Sequence, residues 1–490
     1  MSNKIINIYT SIFHADFAKN IFWGLIGKIS ETLFLSLFFI IISRNYVKSD
    51  FATFLIANNV YQLVVGFSTM GLGDWFIREI GKISNRHELI YKFVKIQIGL
   101  GLLFYLFNIA LAFVLYHHKN LRWICIVLGL NIIFDNIIYA LRSLNIAEFK
   151  QKKSAIIMAI DGFFKLLISC LLFLYSLPIL SLCFLLTIVR LFTLNLFLQK
   201  GSSIKLDFLS LWKFKITWED IKKHVLNNWR FIIIVGLSIV FWRSATIIIS
   251  KYLSNTDVAV YEVSNKIFSV FVIIPIVACT SIYPQFIKYL SNNNNNKPAI
   301  EIFYNNIYFV FTIFCILSYA FIQSYADVIV PFLFGQNYIN AAYCLKEIFL
   351  TFLVFPTALL QANLLVALKL EKLDMYFNLV ALIIYFVACF IGLHFFKSLD
   401  VINYSIFGAF LCFHIMQNII LNKFKFATLK NSISFYAILI AVVFLYNLLL
   451  KYFNPNLVFI YFFILITFLV LIYFTKQKRF SVLIPKIFRF

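Results

Sequence analysis

The sequence predicts an all-α, polytopic integral membrane protein of about 14 transmembrane helices, in two six-helix lobes plus two extra helices. Three observations carry this reading. First, 62% of the 490 residues are hydrophobic and only 13% are charged, against roughly 45–50% and about 25% in soluble domains. Mean hydropathy is +0.91. So little charge cannot cover a water-facing surface, which excludes a soluble enzyme, a disordered protein and a secreted disulfide scaffold. Second, stretches such as LFLSLFFIII at 33–42 are continuously apolar, as a lipid-facing helix requires. The strands of a membrane barrel would alternate apolar and polar residues instead. Third, Lys and Arg concentrate in every second loop, the signature of an oriented helical bundle.

The elements follow in order. Residues 1–19 lack the short apolar core and small-residue cleavage site of a signal peptide and read as a cytoplasmic N-terminus. The first span, 20–43, begins with the first long apolar run. Spans two to six are 51–73, 90–116, 122–144, 155–176 and 178–199, the last two divided only by the turn Ser176-Leu177-Pro178. Together these six make an N-terminal lobe, 20–199. Residues 200–228 form the longest cytoplasmic connection. There Trp212, Phe214 and Trp218 mix with lysines, which suggests a short helix at headgroup depth. Thr217 with Asp220 three residues on reads as its N-cap. A plain connecting loop explains this segment equally well. Spans seven to twelve, 229–250, 258–284, 301–323, 339–368, 375–396 and 400–421, make a C-terminal lobe, 229–421. The polar run 292–296 is a spacer. Pro275 and Pro356 fall inside spans eight and ten and permit kinks. Residues 422–490 hold spans 432–451 and 457–475 and a basic tail.

Net charge is +23. In a soluble protein that would suggest nucleic acid. Here the basic residues lie in short loops, so orientation and attraction to membrane lipid headgroups explain them, with no nucleic-acid partner. With the N-terminus inside, 29 Lys and Arg fall on the cytoplasmic side. Seven fall on the other, namely Arg44, Lys48, Lys119, Arg122, Lys251, Lys397 and Lys451. The expected topology is N-in, C-in.

The halves repeat. Residues 40–58 (IIISRNYVKSDFATFLIAN) align without gaps to 247–265 (IIISKYLSNTDVAVYEVSN) at an offset of 207. Ser43/Ser250, Asp50/Asp257, Ala52/Ala259 and Asn58/Asn265 are identical, and Arg44/Lys251 is conservative. Six spans per copy keep the same orientation, so the copies relate by an axis along the membrane normal. The expectation is a cavity between two lobes and alternating access.

A charge at the bilayer centre costs about 2.5–3.5 kcal/mol, so ionisable residues within spans face the interior or a wet cavity. The basic ones are Lys28, Lys165, Arg190, Arg230, Arg243, Lys266 and Lys346; the acidic ones are Glu31, Asp135, Asp161, Glu262 and Glu347. Lys28/Glu31, Asp161/Lys165 and Glu262/Lys266 stand at i,i+3 or i,i+4, on one helix face, and serve either as static bridges or as substrate contacts. Arg230 and Lys346 lie near span ends, where they snorkel. Arg190 has no partner within a turn, although Asp135 and Asp161 are available from other helices. Arg243 sits mid-span beside Trp242 with no such partner. The substrate-binding candidates are therefore Arg243, Lys28, Lys266 and Arg190. Glu31, Glu262, Asp135 and Asp161 are candidates for ion coupling or charge pairing. An unpaired guanidinium favours an anion, and phosphate matches its fork best.

No catalytic constellation appears: there is no GxxxxGK[ST], HExxH or GxSxG. All eight cysteines lie in apolar segments without a CxxC pair and read as buried hydrophobes. His394 and His414 are isolated and read as packed side chains. A transporter rather than an enzyme is expected, with no metal and no cofactor.

Several segments resemble the polysaccharide-biosynthesis transporters of the multidrug/oligosaccharidyl-lipid/polysaccharide exporter superfamily, and most of all its bacterial O-antigen flippases. Span one opens Asn20-Ile21-Phe22-Trp23-Gly24-Leu25-Ile26-Gly27-Lys28 and closes at Ser43-Arg44, with Asp50-Phe51-Ala52 after it. Span two ends Gly71-Leu72-Gly73, followed by Arg78-Glu79. Phe332-Leu333-Phe334-Gly335 with Tyr338 precedes span ten, and Ala367-Leu368-Lys369 closes it. The loop Asn45–Asp50 is shorter than the family's usual Ala/Gly-rich one. The resemblance implies a polyprenyl-pyrophosphate-linked oligosaccharide, an O-antigen or similar repeat unit for lipopolysaccharide biosynthesis. It would be flipped from the cytoplasmic to the periplasmic leaflet of the cell inner membrane. An O-antigen polymerase and a chain-length regulator would be partners. The main rival on the same fold is a cation-coupled multidrug exporter, which needs acidic rather than basic residues in its lumen.

Overall fold

A computed structural model describes residues 2–80, 86–201, 215–219, 222, 229–291, 297–426 and 429–476. Every regular element in them is helical, and the molecule is a multi-pass membrane protein with fourteen long helices. The headgroup helix expected around Trp212 and Asp220, and the spacer at 292–296, lie outside the described residues.

The chain divides into two units, Met1–Glu262 and Val263–Phe490. Unit 1 contains α1 (Ser2–Asn45), α2 (Lys48–Ser68), α3 (Leu72–Ile80), α4 (Arg86–Leu115), α5 (Lys119–Gly129), α6 (Asn131–Ala147), α7 (Gln151–Cys170), α8 (Ile179–Leu196) and α9 (Trp229–Tyr252). It also holds the first turns of α10 (Asn255–Ser291). Unit 2 takes the rest of α10 and α11 (Lys297–Phe334), α12 (Asn340–Phe352), α13 (Phe355–Ala367), α14 (Glu371–Phe395), α15 (Leu399–Lys423), α16 (Leu429–Tyr452) and α17 (Pro455–Lys476). Among the described residues, twelve helical stretches are long and apolar enough to cross a membrane by length and composition.

In unit 1, α1 lies along α7. Lipid tails compete equally for apolar side chains, so close backbone approach and dispersion must hold such a pair. Gly27 supplies that approach: a Cβ there would stand 2.6 Å from the Cβ of Ala155. Helix α2 packs on α9, α5 and α4. The segment expected as a loop after span two contains α3 instead. Its Leu72, Trp75, Phe76 and Ile80 dock on Leu89, Ile90, Phe93 and Val94 of α4, with Phe76 stacked on Phe93 at 4.3 Å between centroids. Four apolar positions on one face of nine residues are what make that segment fold. Helix α4 turns Leu102, Leu103, Leu106 and Phe107 outward, as lipid demands.

Two spans are interrupted. Span four is α5 and α6, broken at Leu130; span ten is α12 and α13, broken at Leu353–Val354. Pro356 stands in the first turn of α13, where its missing N–H costs nothing. Both spans end alike. Phe149 and Lys369 take positive φ of 55° and 62°, and the next amide reaches back to close the helix, Lys150 to Asn145 at 2.7 Å and Leu370 to Leu365 at 2.9 Å. Span nine runs further than the sequence pattern suggests: α11 continues to Phe334 and stops at Gly335, whose φ of +92° suits a residue without Cβ.

The repeated segments share local geometry. The Ser43 hydroxyl donates to Ile40 O and that of Ser250 to Ile247 O, both at 2.8 Å. The links Tyr46-Val47 and Leu253-Ser254 start the next helix with matching bonds, Asp50 N to Val47 O and Asp257 N to Ser254 O, both at 3.1 Å. Outside the spans, the Tyr46 hydroxyl donates to Leu177 O at 2.8 Å, and burial pushes its pKa up to about 12.

Candidate functional site

Three helices of unit 1 converge on a buried polar junction. Helix α2 brings Asn59, α9 brings Arg243 and Thr246 one turn apart on one face, and the start of α10 brings Glu262. The Asn59 amide nitrogen donates to the Glu262 Oε1 at 2.9 Å and to Leu55 O at 3.0 Å. Thr246 also donates to that Glu262 oxygen. The Asn59 side-chain oxygen accepts from the Arg243 Nη1 at 3.3 Å. Asn59 and Glu262 are buried, whereas Arg243 is half-buried. The Arg243 guanidinium has no carboxylate within ion-pair distance among the described residues. One of its five donors is engaged by a described residue.

Arg190 is placed differently. It bridges Asp135 of α6 and Asp161 of α7. Tyr61 of α2 donates to Asp135. Thr193 donates to Asp161 at 2.7 Å, and Lys165 pairs with the same carboxylate at 2.7 Å. Four helices are thereby joined by a buried network in which two cations meet two anions. Such a network fixes packing and presents little unmet charge to a ligand.

Lys28 pairs with Glu31 at 3.3 Å, with 59% of the lysine side chain exposed. Lys266 is half-buried in the part of α10 that belongs to unit 2, and its carbonyl accepts from Ser269 at 2.7 Å. Lys346 meets Asp327 at 2.5 Å. The side chain of Arg230 lies outside the described residues. Among the sequence candidates, then, the structure brings together Arg243 with Glu262, and Arg190 with Asp135 and Asp161.

Sequence reading missed Asn59, Thr246 and Tyr61. The available signal was polar residues inside apolar spans, but a neutral side chain carries too little insertion cost to stand out. In unit 2, His414 is a buried side chain with its ring nitrogens partnered, in keeping with a satisfied packing role: it lies within 2.8 Å of the Tyr436 hydroxyl, 3.2 Å of Asn418 and 3.4 Å of the Tyr308 hydroxyl. No group of three or more His, Cys, Asp or Glu among the described residues is arranged to hold a metal.

Comparison with known proteins gives three findings. The model of the family described as "Polysaccharide biosynthesis protein" matches residues 41–343. No curated protein matches. Among solved structures, one similar fold is the inward-facing conformation of a multidrug resistance MATE family transporter of the MOP superfamily. Its TM-score is 0.67 at 13% identity, over 82% of this chain and 95% of that one. The lipid II flippase MurJ in an inward closed conformation gives a TM-score of 0.66 at 13% identity, over 96% of this chain and 100% of that one. A MOP superfamily transporter from Pyrococcus furiosus, whose binding pocket is described as reversed in polarity, gives 0.56 at 14% identity, over 85% and 96%. At such identities the likeness concerns the fold.

Proposed function

Since this chain belongs to the polysaccharide biosynthesis protein family and has the fold of MOP superfamily transporters, we propose that it is a flippase for a polyprenyl-pyrophosphate-linked oligosaccharide, an O-antigen or similar repeat unit. It carries this lipid from the cytoplasmic to the periplasmic leaflet of the inner membrane by alternating access. Both termini lie in the cytoplasm. A polymerase and a chain-length regulator act on what it delivers. The 20–199 and 229–421 lobes are its two moving bodies.

The observation that carries this reading is the Arg243 guanidinium, held by one neutral oxygen with no carboxylate in ion-pair distance among the described residues. Arginine stays charged, and its planar fork fits phosphate oxygens two at a time. Lys28 and Lys266 are further substrate contacts in this proposal, whereas Arg190 is committed to Asp135 and Asp161. Asn59 and Thr246 hold Glu262 by hydrogen bonds, and Asn59 links that carboxylate to Arg243 without a direct ion pair. The membrane potential, negative inside, favours outward movement of a diphosphate by about 2.3 kcal/mol per charge per 100 mV.

The test is surface-polysaccharide export in cells lacking the native gene. Arg243→Ala should abolish export while membrane levels of the protein stay normal, and Arg243→Lys should retain more export than Arg243→Glu. Wild-type export by Arg243→Ala would remove Arg243 from the path.

One observation favours a second reading, a cation-coupled multidrug exporter: Glu262 is a buried carboxylate beside the same junction. That reading requires Glu262→Gln to stop efflux of a cationic dye and Arg243→Ala to spare it.

A further inference from the structure

We propose that Lys119, Arg122 and Lys251 of unit 1 form a binding site for the phosphate headgroup of an anionic glycerophospholipid. The three cations sit where α4 ends, α5 begins and α9 ends. The connection between α4 and α5 is only three residues, 116–118, so the site lies at the depth where a span meets the headgroups.

Tyr116 organises it. The Arg122 Nε donates to Tyr116 O at 2.5 Å, and its Nη2 donates to Phe113 O at 3.4 Å. The guanidinium lies 4.9 Å from the centroid of the Phe113 ring. The Lys251 ammonium sits 4.5 Å from the centroid of the Tyr116 ring, while the Tyr116 hydroxyl meets the Ser250 hydroxyl at 3.2 Å. Two of the three cations are thus held in place. A free lysine or arginine loses rotamer entropy when a ligand fixes it, and part of that loss is already met here.

Charge and surroundings select the ligand. No carboxylate stands within ion-pair distance of Lys119, Arg122 or Lys251 among the described residues. On the proposed outer side basic residues are disfavoured by topology, yet five of the seven belong to unit 1 and three gather here. A free anion in water would need only the cations. Here the flanking surface is apolar and exposed: Val114 at 75%, Tyr252 at 51%, Phe113 and Trp123 at 50% each. Tryptophan and tyrosine at this level mark the membrane interface. A ligand that satisfies both parts carries phosphate at the headgroup plane and acyl chains below it. The site does not depend on what the protein transports.

The test measures lipid retention by the purified full-length protein in native mass spectrometry, with phosphatidylglycerol and phosphatidylcholine as probes. Wild type should prefer phosphatidylglycerol, and 0.5 M NaCl should weaken that preference, since screening at such salt shortens to roughly 4 Å. Each surface lysine contributes about fivefold. Lys119→Gln with Lys251→Gln should therefore weaken phosphatidylglycerol about thirtyfold and leave phosphatidylcholine unchanged. Both lysines are exposed, so folding is not at stake. Lys397→Gln with Lys451→Gln, the other proposed outer pair, should keep wild-type retention. The proposal is overturned if the first double variant binds phosphatidylglycerol as wild type does, or if the control pair loses as much. It is also overturned if inorganic phosphate, or a polyprenyl diphosphate alone, occupies the site where phosphatidylglycerol does not.

Discussion

Arg190 and Arg243 are the same residue type inside apolar helices, α8 and α9, and their partners set them apart. Arg190 is enclosed by Asp135 and Asp161, with Tyr61, Thr193 and Lys165 completing both carboxylates. Among the described residues, Arg243 hydrogen-bonds with Asn59 and has no carboxylate within ion-pair distance. Removing one member of a buried pair leaves an uncompensated charge worth about 3–5 kcal/mol. Arg190→Ala should therefore lower stability in detergent by about that amount in a thermal or denaturant titration. Arg243→Ala should change it by less than about 1 kcal/mol, because no buried anion loses its partner. Equal losses in the two variants would contradict this division. The pairing of Asp161 with Lys165 was legible in the sequence because an i,i+4 spacing puts both on one helix face. The bridge from Arg190 to Asp135 was legible only as one option, since it joins two helices. The Asn59–Glu262 bond spans 203 residues and was not legible at all: nothing local determines which face of α2 meets α10.

At the scale of elements, composition and continuity of apolar runs located the long helices, because every backbone group in lipid must bond internally and helix is the answer, but not all of their ends: α1 begins at Ser2 rather than near residue 20, and α11 runs to Phe334 rather than to 323. The interruptions were less legible. Pro356 announced the break in span ten, whereas span four breaks at Leu130 without proline, with Gly129 as the last residue of α5. There the Asn108 amide donates to Cys125 O at 2.9 Å, and the Thr187 hydroxyl donates to Val127 O at 3.3 Å. Side chains from α4 and α8 thus meet carbonyls near the break, and such contacts appear only once the helices assemble. Close packing of α1 on α7 yields a further expectation. Gly27→Leu should destabilise by about 1–3 kcal/mol through overpacking. Gly99→Leu, where a Cβ meets nothing within 4 Å, should shift stability by less than about 0.5 kcal/mol. Equal melting temperatures for the two variants would show that α1 does not depend on that contact.

For the whole molecule, duplication is visible at three levels. The sequence repeats at an offset of 207, the repeated serines and helix starts make the same bonds, and spans four and ten are both broken and both close on a left-handed residue. An even number of spans per copy requires both copies to point the same way. Single cysteines at Lys4, Lys119 and Lys397 in a cysteine-free background should report this with a membrane-impermeant maleimide. Lys119 and Lys397 should label in intact cells and Lys4 only after permeabilisation; the reverse pattern would invert the topology.

The account rests on transport of a phosphate-bearing lipid past Arg243. Its most direct measurement is leaflet exchange of a fluorescent polyprenyl-diphosphate oligosaccharide in liposomes holding the purified protein. Wild type should make the probe accessible from both leaflets, and Arg243→Ala should leave exchange at the rate of empty vesicles. Equal exchange by the two proteins, or none by the wild type under an imposed potential, would contradict it.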